Sequence, residues 1–187
     1  MQHLPSTERD LIERARQHDE AAFAVLVELY AATVFRIVHR MMADQMEAES
    51  IVQETFWRFW RVLPGYSAEG PLLPYLATIA SNLARDRFRR ERRLDDLPAE
   101  ELLDARAETG ARDVESLVED QRTLERLAQG VRSLPLAYRA VISLRYEAGM
   151  TYGQIAAALS LPVNTVRTHL RRAKELLRRR LEEREDG

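Results

Sequence analysis

Residues 151–174, TYGQIAAALSLPVNTVRTHLRRAK, predict two short helices joined by a tight turn. Thr151 is placed to cap the first helix, and Gln154, three residues on, is placed to return a hydrogen bond to the free N–H of Thr151. Pro162 breaks the first helix and suits the start of the second, because its φ is already helical. The alanines at 156–158 allow a second helix to approach closely. An all-α unit is therefore expected around this stretch.

The second of these helices separates apolar from polar residues at helical spacing. Its apolar positions are Val163, Val166, Leu170, Ala173 and Leu177. Its other sides carry Asn164, Thr165, Arg167, Thr168, Arg171 and Arg172. Arginine binds guanine through two hydrogen bonds in the DNA major groove, while asparagine and threonine reach adenine, thymine or phosphate. The pattern is typical of a DNA-recognition helix, and a helical hairpin with a solvated basic face is the alternative.

The charges are segregated along the chain, although the net charge is only -2. Basic residues concentrate in two runs and acidic residues lie between and behind them, so the net charge does not argue against nucleic-acid binding. The 187 residues include no cysteine, which excludes disulfides and thiolate metal sites. The N-terminus lacks the order of a signal peptide, and no window is expected to be apolar enough for a membrane span. A cytoplasmic protein is therefore expected.

Three helices are predicted before residue 64. Residues 7–17 form a short amphipathic helix, Asp19 caps a long core helix, and a third helix begins near Met46. The apolar face of the third helix is Ile51, Val52, Phe56, Phe59 and Val62. Its exposed acidic face is Glu47, Glu49, Gln53 and Glu54. Such carboxylates can indicate a di-metal site, but no histidine is placed to complete one, so a solvated or protein-binding face is favoured.

A loop and a basic helix follow. Residues 64–71, PGYSAEGP, are a loop by composition, in which Tyr66 either stacks on a ligand or packs beneath the loop. The helix over 72–93 turns Leu76, Ile79, Ala80 and Leu83 inward. The residues that face out are Asn82, Arg85, Arg89, Arg90, Arg92 and Arg93. These arginines can neutralise phosphates, but arginine also suits the C-terminal dipole of a helix.

The composition changes over residues 94–120, which are acidic and interrupted by Pro98 and Gly110. Periodicity is lost until about Val114, so an extended or partly disordered linker is predicted. Beyond it, apolar residues at helical spacing predict two more helices, which end at Gly149. Together with residues 151–174, these helices complete a four-helix C-terminal domain.

Both halves of the chain resemble one known family, the extracytoplasmic-function sigma factors of bacterial RNA polymerase. DEAAFAVLVELY, ESIVQETFWRFWRVLPGY and YLATIASNLARDRFRRERR are similar to the family's region 2, and SLPLAYRAVISLRYEAGMTYGQIAAALSLPVNTVRTHLRRAKELL is similar to its region 4. The resemblance implies an all-α fold of two small helical domains joined by a flexible acidic linker. The implied division is region 2 over 1–93, the linker over 94–118 and region 4 over 119–187.

The resemblance also implies a function and its residues. Region 4 of the family reads the -35 promoter element as a duplex, which implies a role for Asn164, Thr165, Arg167, Thr168, Arg171 and Arg172. Region 2 opens the -10 element and captures a flipped base, which implies a role for Val62, Tyr66, Ser67, Asn82, Arg85, Arg89 and Arg90. The family contact with the polymerase clamp helices corresponds to Glu49, Gln53 and Glu54. Stacking surfaces, an amide and phosphate-binding arginines suit these roles chemically.

The implied partners are core RNA polymerase, promoter DNA and an anti-sigma factor. Contact with the polymerase is expected at the clamp helices of the largest subunit and the flap of the second subunit. No cofactor, metal, small-molecule substrate or membrane insertion is expected. An enzyme is disfavoured because the chain has no cysteine, no phosphate-binding glycine loop and no credible catalytic triad. An ordinary helix-turn-helix activator or repressor, with an N-terminal sensing or dimerisation domain, is the alternative, but it leaves the basic run over 85–93 without a role.

The chain departs from the family pattern at four positions. Ser50 stands where the family often has aspartate, at a position that the resemblance places beside the clamp contact. Tyr75 replaces a usual tryptophan and Thr78 a usual arginine. Asn164 replaces a frequent glycine in the recognition helix. The loop over 64–71 is also rich in proline, so the family's base preferences do not transfer to this chain.

Overall fold

The computed structural model describes residues 7–42, 44–67, 69–94 and 127–182, and these residues form helices, turns and short connections without a strand. The N-terminal helices are α1 (Glu8–Arg16), α2 (Glu20–Met42), α3 (Gln45–Val62) and α4 (Leu72–Leu94). The C-terminal ones are residues 127–132 of α5, then α6 (Leu136–Tyr146), α7 (Tyr152–Leu159) and α8 (Val163–Glu182). A 3-10 turn, Leu63–Gly65, follows α3. The all-α prediction is confirmed, whereas the predicted linker lies almost entirely outside the described residues.

The helix starts follow the capping residues in the sequence. Thr151 Oγ1 accepts from Gln154 N at 3.3 Å, and the Gln154 side chain accepts from Thr151 N at 2.8 Å, so the predicted capping box is present. Asp19 Oδ1 accepts from Ala22 N at 3.0 Å at the start of α2, as predicted. These caps satisfy N–H groups that have no partner within the helix.

The N-terminal domain is built around α2, which packs against α1, α3 and α4. Leu26, Val34 and Ile37 on α2 are fully buried. Helix α2 is nevertheless long and apolar enough to cross a membrane by length and composition. The expectation that no stretch reaches that limit was therefore wrong. Because α2 contacts three helices of its own domain and α6 of the other, it is the core helix of a bundle.

The C-terminal domain places α7 and α8 across a tight turn. Ser160 adopts a left-handed conformation with φ of 54°, and the chain restarts as α8 after Pro162. Val166 and Leu170 on α8 are buried against α6 and α7. The predicted helix-turn-helix is present. Of the three alanines predicted to allow close approach of the helices, Ala156 and Ala158 are buried and Ala157 is exposed.

Contacts between the domains bring α6 onto α2 and α7 onto α4. Glu147, just after α6, pairs with Arg40 at 2.7 Å and with Arg36 at 3.2 Å. On the other side, Arg85 Nη1 of α4 donates to the backbone oxygen of Leu159 at 2.9 Å. The two domains therefore form a closed arrangement that the sequence did not predict.

Candidate nucleic-acid interface

Helix α8 presents the predicted recognition residues on one open side. Asn164, Arg167, Arg171 and Arg172 are exposed, whereas Thr165 and Thr168 are half-buried. The Arg167 guanidinium lies 3.3 Å from Asn164 Oδ1, and Arg171 pairs with Glu175 at 2.9 Å. Both contacts are solvent-exposed and therefore weak, so the side chains are free to exchange them for a ligand.

The opposite side of α8 explains how this face is oriented. Val166, Leu170 and Ala173 are buried as predicted, but Val163 is exposed. His169 packs against the Tyr138 ring, with the ring centroids 5.2 Å apart. Burial, and secondarily the charge of Arg172, lower the pKa of His169 below its ordinary value. The imidazole thus belongs to the supporting side of the helix.

A second candidate surface is an open groove of about 540 Å³ between α3 and α4. Its lining residues are Glu54, Trp57, Arg58, Arg61, Val62, Tyr75, Ile79 and Asn82. Val62 and Asn82, both predicted as site residues, therefore meet in one groove. Val62 is 45% exposed, so its predicted place on the buried face of α3 was wrong.

The aromatic and cationic residues of this groove were missed by sequence reasoning. Trp57 is 52% exposed, and the Arg61 guanidinium lies over its ring at 4.7 Å. Arg58 pairs with Glu54 at 2.7 Å. The available signal was a tryptophan followed by arginines one and four residues later, on the side of α3 away from Phe56 and Phe59. An indole face beside guanidinium groups is a suitable surface for a base and its phosphates.

Tyr66 and Ser67 do not line this groove, and they line a separate pocket beside α1 instead. The Tyr66 ring packs against Phe59 at 5.4 Å and Tyr75 at 4.8 Å between centroids. Burial, and next the charge of Glu8, raise the pKa of Tyr66. Ser67 is exposed, and its hydroxyl donates to Glu69 at 3.1 Å. Of the two interpretations for Tyr66, packing describes its position in this structure.

The basic run of α4 is only partly exposed. Arg89 and Arg90 face out as predicted, but Arg85 is half-buried against α7. Burial, with the nearby charge of Arg89, lowers the pKa of Arg85. The prediction that Arg85 faces solvent was wrong, because the C-terminal domain covers it.

The acidic face of α3 divides into two parts. Glu49 and Gln53 are exposed, with Gln45 Nε2 donating to Glu49 Oε1 at 2.9 Å. Glu54 is half-buried and lines the groove beside Arg58. Glu47 pairs with Arg87 of α4 at 3.0 Å. Among the described residues, no three His, Asp or Glu side chains converge to hold a metal ion.

Comparison with known proteins assigns both surfaces to one class of protein. The family model of sigma-70 region 2 matches residues 26–94, and that of sigma-70 region 4 matches residues 124–177. The first match contains the α3–α4 groove, and the second contains α7 and α8 as far as Leu177. The fold and its two surfaces thus define a sigma-70-type factor.

Individual relatives extend the similarity over nearly the whole chain. The ECF RNA polymerase sigma factor SigW of Bacillus subtilis is 31% identical, over 91% of this chain and 94% of its own length. The ECF RNA polymerase sigma-E factor of Escherichia coli strain K12 is 29% identical, over 91% and 92%. CnrH, solved in complex with the cytosolic domain of CnrY, superimposes with a TM-score of 0.64 at 25% identity, over 94% of this chain and 97% of CnrH. RpoE of Bartonella quintana has the same fold, with a TM-score of 0.64 at 21% identity, over 86% and 96%.

The chain belongs to the ECF RNA polymerase sigma factors. It is a transcription initiation factor that binds core RNA polymerase and directs it to promoters. This membership decides against the ordinary helix-turn-helix regulator, since that class does not account for the matched region 2.

Proposed function

We propose that the two domains divide promoter recognition as the two matched regions do. Residues 119–187 read the -35 element as duplex DNA, residues 1–93 bind core polymerase and open the -10 element, and residues 94–118 connect them. The observation that carries this proposal is the pairing of an exposed recognition helix with a separate aromatic and cationic groove. Duplex readout needs the first kind of surface and an unpaired base needs the second.

The -35 readout is proposed for α8 in the major groove. Arg167, Arg171 and Arg172 are exposed on the side opposite the buried Val166 and Leu170. Their guanidinium groups contact guanine edges or phosphates, while Asn164, Thr165 and Thr168 contact adenine, thymine or phosphate. The buried side, packed on α6 and α7, keeps the helix in a single orientation while these contacts form.

Capture of the -10 base is proposed for the α3–α4 groove. Trp57 provides a stacking face, and the Asn82 amide can donate to and accept from a base edge. Val62 supplies an apolar wall, and Arg89 and Arg90 contact the phosphates of the separated strand. Tyr66 packs against Tyr75, which itself lines the groove, so Tyr66 supports the groove from below. Ser67 lies on the loop beside it, and Arg85 joins the phosphate contacts once the domains separate.

Polymerase binding is proposed for the exposed part of the α3 acidic face. Glu49 and Gln53 meet the clamp helices of the largest subunit, with Glu54 at the border between this face and the groove. The C-terminal domain meets the flap of the second subunit. We further infer that an anti-sigma factor holds the chain inactive, in line with the complex of CnrH with the cytosolic domain of CnrY. The protein acts in the cytoplasm, with no catalytic activity, cofactor or small-molecule substrate of its own.

Co-elution with bacterial core RNA polymerase at moderate salt tests this function directly. Stable association, with new start sites on fragmented DNA from the source genome, is the expected result. Glu49→Arg is expected to weaken association without unfolding the chain, because it places a positive charge on the proposed interface. Glu20→Arg, another exposed charge reversal on a neighbouring helix, is the matched control and should bind normally. Equal polymerase affinity of the two variants would overturn the assignment of this face.

A further inference from the structure

Helix α1 holds both ends of the segment over residues 64–72. Arg16 Nη2 donates to the backbone oxygen of Pro64 at 3.3 Å, before the loop. Glu8 Oε1 accepts from the backbone N–H of Leu72 at 3.2 Å, where α4 begins. The two contacts come from opposite ends of one short helix, so α1 sets the distance between the end of α3 and the start of α4.

Glu8 is itself fixed by a second partner. Its Oε2 accepts a hydrogen bond from the hydroxyl of Tyr30 on α2. Tyr30 is half-buried, and burial together with the Glu8 charge raises its pKa. One carboxylate therefore joins three helices, α1, α2 and α4. Pro71, which precedes α4, has no side-chain oxygen to cap the helix, so Glu8 supplies from another helix the acceptor that Leu72 N–H needs.

Segment 64–72 is connected to the groove through the contact between Tyr66 and Tyr75. Tyr66 lies within the segment and packs against Tyr75 at 4.8 Å. Tyr75 stands three residues after Leu72 on α4 and lines the groove with Asn82. A shift of the first turn of α4 would move Tyr75 and tilt the helix that carries Asn82. Because base capture depends on placement within fractions of an ångström, such a shift would reduce it.

We propose that α1 is a positioning element for capture of the -10 base, with Glu8 and Arg16 as its positioning residues. Residues 8–16 precede the matched region 2, and neither residue lines the groove. Their effect passes through segment 64–72 and the start of α4, which hold the groove in its open form before DNA arrives. The proposal rests on the proposed role of the groove.

The test compares Glu8→Ala with Arg14→Ala in the assembled holoenzyme. Arg14→Ala is the matched control, since it removes an exposed α1 contact, to Asp19 at 2.7 Å, that does not touch segment 64–72. Strand opening is measured by permanganate reactivity of thymines in the -10 element. Glu8→Ala is expected to slow strand opening about tenfold while polymerase binding stays unchanged. Arg14→Ala is expected to leave the rate of strand opening unchanged.

A promoter with one abasic position distinguishes an effect of Glu8 on the position of the groove from a general destabilisation of the protein. The position chosen is the one in the -10 element whose base loss slows wild-type opening most. If Glu8 acts through capture of that base, Glu8→Ala adds little once the base is gone. If Glu8→Ala slows opening equally with and without the base, the proposal is overturned. Glu8→Gln keeps an oxygen for Leu72 N–H and should recover part of the loss. Should Glu8→Ala fail to fold, Tyr30→Phe, which removes only the hydroxyl donor, is tested in the same way.

The same assay distinguishes failure of this proposal from failure of the proposed function. If no abasic position slows strand opening by the wild type and Asn82→Ala leaves opening unchanged, the groove does not capture a base. The proposed function of the groove and the proposed role of α1 are then both wrong. If Asn82→Ala and the abasic position both matter while Glu8→Ala behaves like Arg14→Ala, only the role of α1 is wrong.

Discussion

The two arginine-bearing helices, α4 and α8, resemble each other in sequence and differ in their surroundings. On α8, Arg167, Arg171 and Arg172 face solvent, and their contacts are made within the same helix. On α4, Arg85 is half-buried and donates to Leu159 of the C-terminal domain. The closed arrangement thus leaves these α8 arginines exposed and covers one arginine of α4. Full exposure of Arg85 therefore requires separation of the domains.

Among the described residues, polar contacts between the domains include the ion pairs of Glu147 and the Arg85–Leu159 hydrogen bond. The Glu147 side chain is only 14% exposed, and its carboxylate forms ion pairs with both Arg36 and Arg40. Exposed ion pairs contribute about 0.2–1 kcal/mol each, and partial burial of Glu147 adds a desolvation cost. Contacts of this strength are readily exchanged for those of a larger partner such as polymerase.

The largest effect is expected from removing an exposed arginine side chain of α8. Arg171→Ala should lower transcription from a -35-dependent promoter roughly 5- to 150-fold, since a good base contact contributes about 1–3 kcal/mol. Polymerase binding should be unchanged. The measurement is run-off transcription with saturating polymerase, and Arg179→Ala, exposed two turns further along α8, is the control. If the holoenzyme with Arg171→Ala is as active as the Arg179→Ala control, Arg171 does not take part in -35 recognition.

A smaller effect is expected in the α3–α4 groove. Asn82→Ala removes hydrogen bonds to a captured base, each with a net contribution of about 0.5–1.5 kcal/mol, so opening should slow roughly 2- to 15-fold. A template already unpaired over the -10 element should restore part of the rate, because unpairing is no longer required. Permanganate reactivity on the duplex template and run-off transcription on the unpaired template check this. Unaltered opening would exclude Asn82 from base capture.

The interdomain ion pairs should have a modest effect. Glu147→Gln removes the charge that attracts Arg36 and Arg40, and we expect amide exchange at the α4–α7 contact to rise about 1.4- to fivefold, from the 0.2–1 kcal/mol of one such pair. Glu47→Gln, which breaks the α3–α4 pair with Arg87 inside one domain, is the matched control. High salt should weaken the wild-type contact towards the Glu147→Gln level. Equal exchange in both variants would mean that Glu147 does not hold the domains together.

The smallest effect concerns pH. His169 lines a mainly apolar cavity between α4, α6, α7 and α8 together with Arg85 and Arg89, and Arg172 lies nearby. Its folded-state pKa is below its ordinary value of 6.5, so the unfolded chain binds the proton more tightly. Stability of the C-terminal domain should therefore fall as pH drops below about 6.5. Thermal unfolding at pH 7.5 and 5.5 should show this loss reduced in His169→Gln. An unchanged pH dependence in that variant would assign the loss to other groups.

Local features were predictable because they depend on residues close in sequence. The capping box of Thr151 and Gln154 and the buried side of α8 follow from spacings of three and four residues. The groove was not predictable in full, since Trp57 and Asn82 meet only when α3 and α4 pack. Val62 was predicted both on the buried face of α3 and in the candidate site, and packing leaves it exposed in the groove.

The sequence by itself determined the helices, their caps, the helix-turn-helix and the two matched regions, because hydrogen bonding and burial within a helix depend on short spacings. Tertiary structure alone decided which charged side chains are available. Arg85 is covered by α7, and Glu8 reaches Leu72 across 64 residues of chain. Such contacts arise from the relative placement of helices, which depends on the packing of the whole core.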